Sequence, residues 1–504
     1  MHRTAALGKA AAGGALMTGV VVIGGGITGM AAAYDLAKAG IAVTLVEGSD
    51  RLGGKIRTDE VDGFLVEAGP DSFVAYRPAA LQLASELGLG DDVISTTEPR
   101  LVYLRSNGRM IAMPDGMGLV LPTKIAPFAR TELFTWPQKL RAGMDVVLPR
   151  SLGPEDISIG QFLRHRLGPA MVEQLGDPML GGVYGASVDE LSLDAVLPQF
   201  RTYEQDYRSL LLASLAQGRA TRASAKKAAA AAGPGAAKAP DSPFRSLRRG
   251  MGSLVAALTE RIAASPGVDL RYNTSVSALE WSDGRSTVRL SDGTVLNPDV
   301  VVIATPASAT ADLLADHVPT ASEAIRGVPH GSTAVVSLGY DQDSFVSPLV
   351  GHGFLEAGPR KASFSGCTFT SLKWAGRAPA GKVLLRAFVP DRSVDLIARP
   401  DDEVFDVVHA DLVSAIGVRK APTMRYLARW NNTMPKYTVG HLARVAQVET
   451  AMAARPQWLL AGSTYRGVGV PECVASGRRA ASAAMDQMSH ASQGEVQAVV
   501  EQPG

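Results

Sequence analysis

At 504 residues, 46% of them hydrophobic, the chain can bury a sizeable core, and its length predicts two or three domains rather than one compact unit. Fifty basic residues against 49 acidic ones leave a formal charge of +1, so no whole-molecule field recruits nucleic acid or an anionic membrane, and a polyanionic ligand must be met locally. Cys367 and Cys473, the two cysteines, are too few for a disulfide framework or a thiolate metal site and fit a reducing cytoplasm, and the eight scattered histidines lack the spacings of a zinc or iron site.

Residues 1–19 read as a flexible extension, because the apolar stretch is broken by Gly13, Gly14 and Gly19 and is short for a signal peptide. No run reaches the roughly 18 apolar residues that a spanning helix needs, so membrane contact is expected to be peripheral at most. Residues 20–23 then form an apolar run typical of a buried parallel strand, and Gly24, Gly26 and Gly29 follow in G-x-G-x-x-G spacing. Met30, Ala33, Tyr34 and Ala37 recur at helical spacing, Gly40 supplies a helix stop, and IAVTLVE is a second strand ending in Glu47. This βαβ unit predicts a bound dinucleotide: Gly24 makes the tight turn, Gly26 admits the pyrophosphate, Gly29 allows close helix–strand packing, and Glu47 receives the ribose hydroxyls. A carboxylate there repels a 2′-phosphate, which argues against NADP. Gly25, Ile27 and Thr28 complete the expected phosphate loop. Flavin and nicotinamide proteins share such a unit, so it leaves open which dinucleotide is bound.

The next stretch, RLGGKIRT at 51–58, adds a diglycine, Gly53 and Gly54, flanked by Arg51, Lys55 and Arg57. A nicotinamide dehydrogenase has no need of it. The pattern resembles the large flavoprotein family that includes amine oxidases, phytoene desaturases and protoporphyrinogen oxidases, and the cofactor implied is FAD, with these basic side chains and glycine amides near its phosphates. GFLVEAGPDSF at 63–73 is similar to the stretch that in porphyrinogen oxidases lays the backbone of Gly69, Pro70, Asp71 and Ser72 against the flavin. The strand pair RLVYLRSNGRMIAMP (100–114) and the segment DPMLGGVYGASVDELSLDAVLP (177–198) extend the likeness. By the same resemblance Arg100 sits where an arginine pairs with a substrate propionate, a planar carboxylate suited to a guanidinium.

Residues 216–244 are low-complexity Ala, Gly, Pro and Lys and read as a disordered loop. Within YNTSVSAL (272–279), Val276 matches a backbone contact to the adenosine part of FAD, and Trp430 matches a residue lining the cofactor site. TAVVSLGY (333–340) and KVLLRAFV (382–389) alternate with turn signals, as in an antiparallel sheet. RWNNTMPKYTVGHLARV (429–445) and LLAGSTYRGVGVPECVASGRRAA (459–481) closely resemble the closing motifs of the coproporphyrinogen and protoporphyrinogen oxidases of haem synthesis. In the last motif an apolar strand ends at Gly462, the loop through Gly467, Val468 and Gly469 permits close approach, and a helix starting near Val470 and Pro471 points its positive end at the flavin pyrimidine.

The expected architecture is α/β. A Rossmann-like FAD-binding domain is assembled from residues 20–91, 245–305 and 428–488, with a mainly helical inserted domain at 92–215, a mixed α+β substrate domain at 306–427 and a flexible tail at 489–504. The resemblance implies oxidation of a porphyrinogen to a porphyrin in three two-electron flavin cycles, with molecular oxygen as acceptor and hydrogen peroxide released. Cofactor chemistry dominates such a reaction, which accounts for the lack of an evident acid–base pair. The wording of the motifs, with few aromatic residues and no membrane-seeking helix, resembles the soluble Gram-positive type that uses coproporphyrinogen III. Protoporphyrinogen IX is the alternative substrate, and a flavin amine oxidase, a carotenoid desaturase or a non-enzymatic carrier are the other classes. A transient handover of product to a downstream haem-synthesis enzyme is a further implied partnership.

Overall fold

The computed structural model describes residues 19–118, 120–231, 242–358 and 362–500. Its centre is a parallel five-stranded sheet in the spatial order Val268–Arg271, Val43–Val46, Val20–Ile23, Val300–Ile303, Trp458–Leu460. The strand Val20–Ile23 is buried along its whole length because both faces are covered, which is why it reads as an unbroken apolar run. Val20 and Val22 pack against the helices Ile27–Lys38 and Val470–Val500, whereas Val21 and Ile23 pack toward the hairpin at 276–290 and the helices Ala307–Leu314 and Pro319–Arg326. One sheet therefore closes two cores, and its strands come from three separated parts of the chain.

A second, seven-stranded sheet runs in the order Met424–Pro435, His330–Asp341, Lys382–Val389, Gly366–Phe369, Gly353–Ala357, Val102–Ser106, Arg109–Ala112. All its pairings are antiparallel except that of Gly353–Ala357 with Val102–Ser106. The helix Asp401–Ile416 covers one face through Val404, Val408 and Leu412. Two expected boundaries fall inside this sheet. The strands at 102–112, assigned from sequence to the helical domain, are held here by the parallel pairing, and Trp430 lies on the edge strand Met424–Pro435 rather than in the nucleotide-binding core.

The third layer, between about 120 and 231, is helical and encloses its own core around Phe162, Leu163, Leu175 and Phe200. At its centre Arg166, fully buried, donates to Asp145 at 2.5 Å and to Glu204 at 3.4 Å. The expected disordered loop needs correcting: the helix Leu210–Ala231 runs through its first part, since alanine, lysine and arginine are strong helix formers and no glycine or proline follows Gly218 before residue 233. Residues 232–241 lie outside the described residues, as do 1–18 of the N-terminal extension. The tail is likewise shorter than expected, the last helix continuing to Val500. Among the described residues no helix is long and apolar enough to cross a membrane.

Candidate functional site

The two glycine clusters of the N-terminal motif lie against one another. Gly53 N–H donates to the Gly25 carbonyl at 2.8 Å, and Gly26 and Gly53 form an isolated parallel bridge. Gly24 adopts φ +103°, and a Cβ there would lie 2.7 Å from the Ala304 carbonyl; a Cβ on Gly29 would lie 1.9 Å from the Gly24 carbonyl. Both glycines are thus required by packing, as the turn and the helix–strand contact demand. Gly26 is different: it caps the helix Ile27–Lys38 with extended backbone, and a Cβ there would meet nothing within 4 Å. It borders open space at the N-terminus of a helix. Ile27 and Thr28, the first residues of that helix, are buried.

Glu47 closes the other side. Its Oε2 accepts from Gly25 N–H at 2.7 Å, and its Oε1 accepts from the Ser49 amide and hydroxyl at 2.8 and 2.7 Å. A carboxylate offers about four acceptor positions, so one remains on Oε2 for a ribose hydroxyl. Arg51 is engaged locally, its guanidinium donating to the carbonyls of Leu52, Gly54 and Ile56 and so shaping the diglycine turn. Lys55 turns inward and donates to the Thr433 carbonyl. Burial pulls its ammonium below the ordinary value, with Cys473 acting weakly the other way; among the described residues no carboxylate pairs with it. Val276 opens the hairpin strand Val276–Ser282, half-buried behind the sheet.

The C-terminal motif meets this cradle from the opposite side. The strand Trp458–Leu460 passes into a loop with Gly462 at φ +129° and Gly467 at φ +142°, and the helix Val470–Val500 begins with Pro471 in its first turn. Gly462 N–H donates to Ser476 Oγ at 3.1 Å, and a Cβ on Gly462 would meet open space. Gly477 brings this helix onto the N-terminal one, since a Cβ there would lie 2.1 Å from the Thr28 carbonyl. The first turns of two helices therefore converge, and both present positive dipole ends. Val468 and Val470 flank the turn, and a Cβ on Gly469 would strike Glu472, whose carboxylate is paired with Arg77 at 2.7 Å.

The turn Gly69–Ser72 is held from the substrate sheet. Trp430 Nε1 donates to the Ala68 carbonyl at 2.8 Å, and the buried Arg386 donates to the Gly69 carbonyl. A Cβ on Gly69 would lie 1.7 Å from the Lys55 carbonyl, so the turn is pressed onto the diglycine segment. Pro70 and Ser72 are half-buried beside it. Asp71, 8% exposed, accepts from Trp374 Nε1 at 3.1 Å, from Lys373 at 3.2 Å and from Ser72 Oγ at 2.7 Å. Burial pushes its carboxyl up, but Lys373 and Arg386 outweigh this and hold it well below the usual range. The Asp71 side chain thus anchors the turn, and the Asp71 carbonyl accepts from the buried Ser246 hydroxyl at 2.7 Å. Sequence reasoning did not find Lys373, Trp374 or Arg386, which lie some 300 positions away from the carboxylate they serve.

Arg100 follows the segment that joins the nucleotide domain to the substrate sheet. Its Nε is buried without a partner, and its nearest acid, Glu98 at 3.3 Å, is mostly exposed. Burial, and then the charge of Arg100, lower the nearby Arg245, whose guanidinium donates to the carbonyls of Ser242 and Phe244.

The fold and the site together define a dinucleotide-binding oxidoreductase: a doubly wound parallel sheet, a glycine cradle at two converging helix N-termini, a carboxylate at the end of the second strand that closes the cradle, and a second sheet pressed against the same turn. The family model described as flavin containing amine oxidoreductase matches residues 27–485, and the chain belongs to that family. With a dinucleotide cradle in place, its flavin is FAD. A protein of Propionibacterium freudenreichii named coproporphyrinogen III oxidase is 48% identical over 491 residues, 93% of this chain and 90% of that one. A Bacillus subtilis protein of the same name is 35% identical over 92% of this chain and 97% of its own length. Among solved structures, an Exiguobacterium protein provisionally named protoporphyrinogen oxidase superposes with a TM-score of 0.78 at 32% identity, covering 94% of this chain and all of that one.

Proposed function

We propose that this chain oxidises coproporphyrinogen III to coproporphyrin III in haem synthesis, with molecular oxygen as the terminal acceptor. The observation that carries the reading is continuous similarity, across more than nine-tenths of this chain, to two relatives bearing that name. When bound, FAD supplies the two-electron oxidation at a bridging carbon of the tetrapyrrole. The residues of the chain bind and orient. Gly26 and the first turns of the helices Ile27–Lys38 and Val470–Val500 receive the pyrophosphate and the pyrimidine end, Glu47 receives the ribose, and the half-buried Lys55 adds a basic side chain. Arg100, with a buried donor unpartnered and Arg245 nearby, supplies positive charge for the carboxylates of the substrate. Protoporphyrinogen IX, with two propionates instead of four, is the alternative substrate suggested by the name of the Exiguobacterium relative.

The decisive assay supplies freshly reduced coproporphyrinogen III and protoporphyrinogen IX separately in air and follows porphyrin fluorescence and peroxide against a no-enzyme control. Faster turnover of the four-propionate substrate is expected; preference for protoporphyrinogen reverses the assignment, and turnover of neither overturns it. Location in the cytoplasm with peripheral membrane contact belongs to the same reading. The contact is supported by Trp136, Leu140, Met144 and Val147, which stand at half exposure or more along one short stretch of the helical layer, beside Lys139 with its ammonium 4.8 Å from the Trp136 ring. Co-sedimentation with anionic vesicles tests it, and no pelleting at low salt counts against it. Release of product to a downstream haem-synthesis enzyme by transient contact completes the proposal, and faster transfer than through free solution is its test.

A further inference from the structure

The loop between the strand Trp458–Leu460 and the helix Val470–Val500 is held by two side chains that the reading above leaves without a role. Tyr437, 2% exposed, donates its hydroxyl to the Ser463 carbonyl at 2.6 Å and accepts from the Gly467 N–H at 2.7 Å. His441, fully buried, stacks on the Tyr437 ring with centroids 3.9 Å apart and planes 16° from parallel. Its Nε2 lies 2.8 Å from the Tyr465 carbonyl; a carbonyl only accepts, so Nε2 carries the proton, and Nδ1 is left buried without a partner. Three alternate positions of one loop, 463, 465 and 467, are thereby pinned by one stacked pair. The segment bearing the pair is itself fastened on the other side. Ser192 N–H donates to the Tyr437 carbonyl at 2.8 Å, Val439 N–H to the Glu190 carbonyl at 3.0 Å, and Gly440 N–H to Asp156 at 2.9 Å. Immediately before it runs the edge strand Met424–Pro435 of the second sheet.

We propose that Tyr437 and His441 are positioning residues for the flavin, setting the C-terminal glycine loop, and with it the N-terminus of the helix Val470–Val500, relative to both the helical layer and the substrate sheet. The inference rests on the FAD assignment and goes beyond it by naming what aims the C-terminal helix at the cofactor. A side chain that merely stabilised the fold would be indifferent to which atoms of the loop it held. These two address only main-chain groups of the one segment that joins the last strand to the cofactor-facing helix, and main-chain groups are what a glycine loop uses to meet a ligand.

The test uses the full-length chain, deflavinated and then titrated with FAD, and measures the dissociation constant and the midpoint potential of the bound flavin. Tyr437→Phe keeps the ring and the stack and removes only the hydroxyl. The dissociation constant should rise about tenfold, the effect of one buried hydrogen bond lost near a charged ligand, and the potential should fall, because a helix N-terminus held less firmly stabilises the more negative reduced flavin less. His441→Phe, which keeps a flat ring but cannot donate to Tyr465, should move both quantities the same way, and carries the test if the tyrosine variant does not fold. Unchanged affinity or unchanged potential in the folded variant, whatever its melting temperature, overturns the inference. So does a wild-type chain that binds no FAD. Neither readout uses a porphyrinogen, so an error in the substrate assignment does not alter them.

Discussion

Gly26 and Gly29, three positions apart in one motif, should respond oppositely to the same small substitution. In Gly26→Ala the added methyl enters open space, and the backbone there, φ −67° and ψ 170°, suits any residue. Reduced chain entropy favours the alanine by about 0.4–1 kcal/mol, but alanine is a poorer helix N-cap than glycine, so the two offset and the deflavinated protein should melt close to the wild-type temperature. On the proposed function the methyl occupies the space assigned to the pyrophosphate, and losing one or two charge-assisted hydrogen bonds costs about 3 kcal/mol, roughly a hundredfold in FAD affinity. In Gly29→Ala the methyl falls 1.9 Å from the Gly24 carbonyl. The first turn of the helix must move away, and overpacking of this kind costs about 1–3 kcal/mol, which lowers the melting temperature of a chain of this length by on the order of 1–3 °C before any cofactor is added. Thermal melts of the deflavinated proteins and titrations followed by flavin fluorescence separate the two effects. A Gly26→Ala protein that holds FAD with wild-type affinity would refute the assignment of that space to the phosphates.

Three further outcomes are expected. Asp71→Asn leaves Arg386 and Lys373 without their carboxylate and should cost about 3–5 kcal/mol at neutral pH; because the folded carboxyl is held below its ordinary 3.8, its stabilisation is complete above that value and is lost as pH falls toward the lower folded value. Denaturant melts from pH 7 to 2 check this, and an acid limb as steep in the variant as in wild type contradicts it. Burial pushes the thiols of Cys367 and Cys473 up to about 12 and about 11, so neither should react with a thiol reagent at pH 8 until the chain is unfolded; labelling of the native protein at either position argues against the packing described. Arg166→Met strands Asp145 and Glu204 in the helical core and should destabilise it by about 3–5 kcal/mol, read as an earlier unfolding transition; a wild-type denaturation curve would mean the ion cluster is not closed to solvent.

How much of the site could be read in advance depended on whether the information was local. Gly24, Gly26, Gly29 and Glu47 were legible because their spacing alone implies a strand, a turn, a helix and a second strand, and the structure brings them together with the pairings that spacing requires. The diglycine at 53 and 54 was visible as a second glycine cluster, though not its bridge to Gly26. Lys373, Trp374 and Arg386 were not legible, since an isolated lysine, tryptophan or arginine on a strand carries no mark of an aspartate some 300 residues earlier. Tyr437 and His441 were hidden for another reason: their partners are carbonyls and amides, which every residue has. Alanine-rich sequence misled in the other direction, its low complexity suggesting disorder where helix propensity prevails as far as Ala231.

The order of strands in the central sheet sets a timetable for synthesis. Val20–Ile23, Val43–Val46, Val268–Arg271 and Val300–Ile303 have all left the ribosome long before Trp458–Leu460, which pairs along Val301–Ile303. Until the last tenth of the chain emerges, that edge has no partner strand, and the helix Val470–Val500 that packs against Ile27–Lys38 does not yet exist. Because the proposed cradle needs that helix, cofactor loading is expected to follow completion of the chain rather than guide its early folding. A nascent or truncated chain presents an apolar valine-rich edge open to other strands, so ribosome stalling or a premature stop near residue 450 should yield aggregation rather than a partly active flavoprotein.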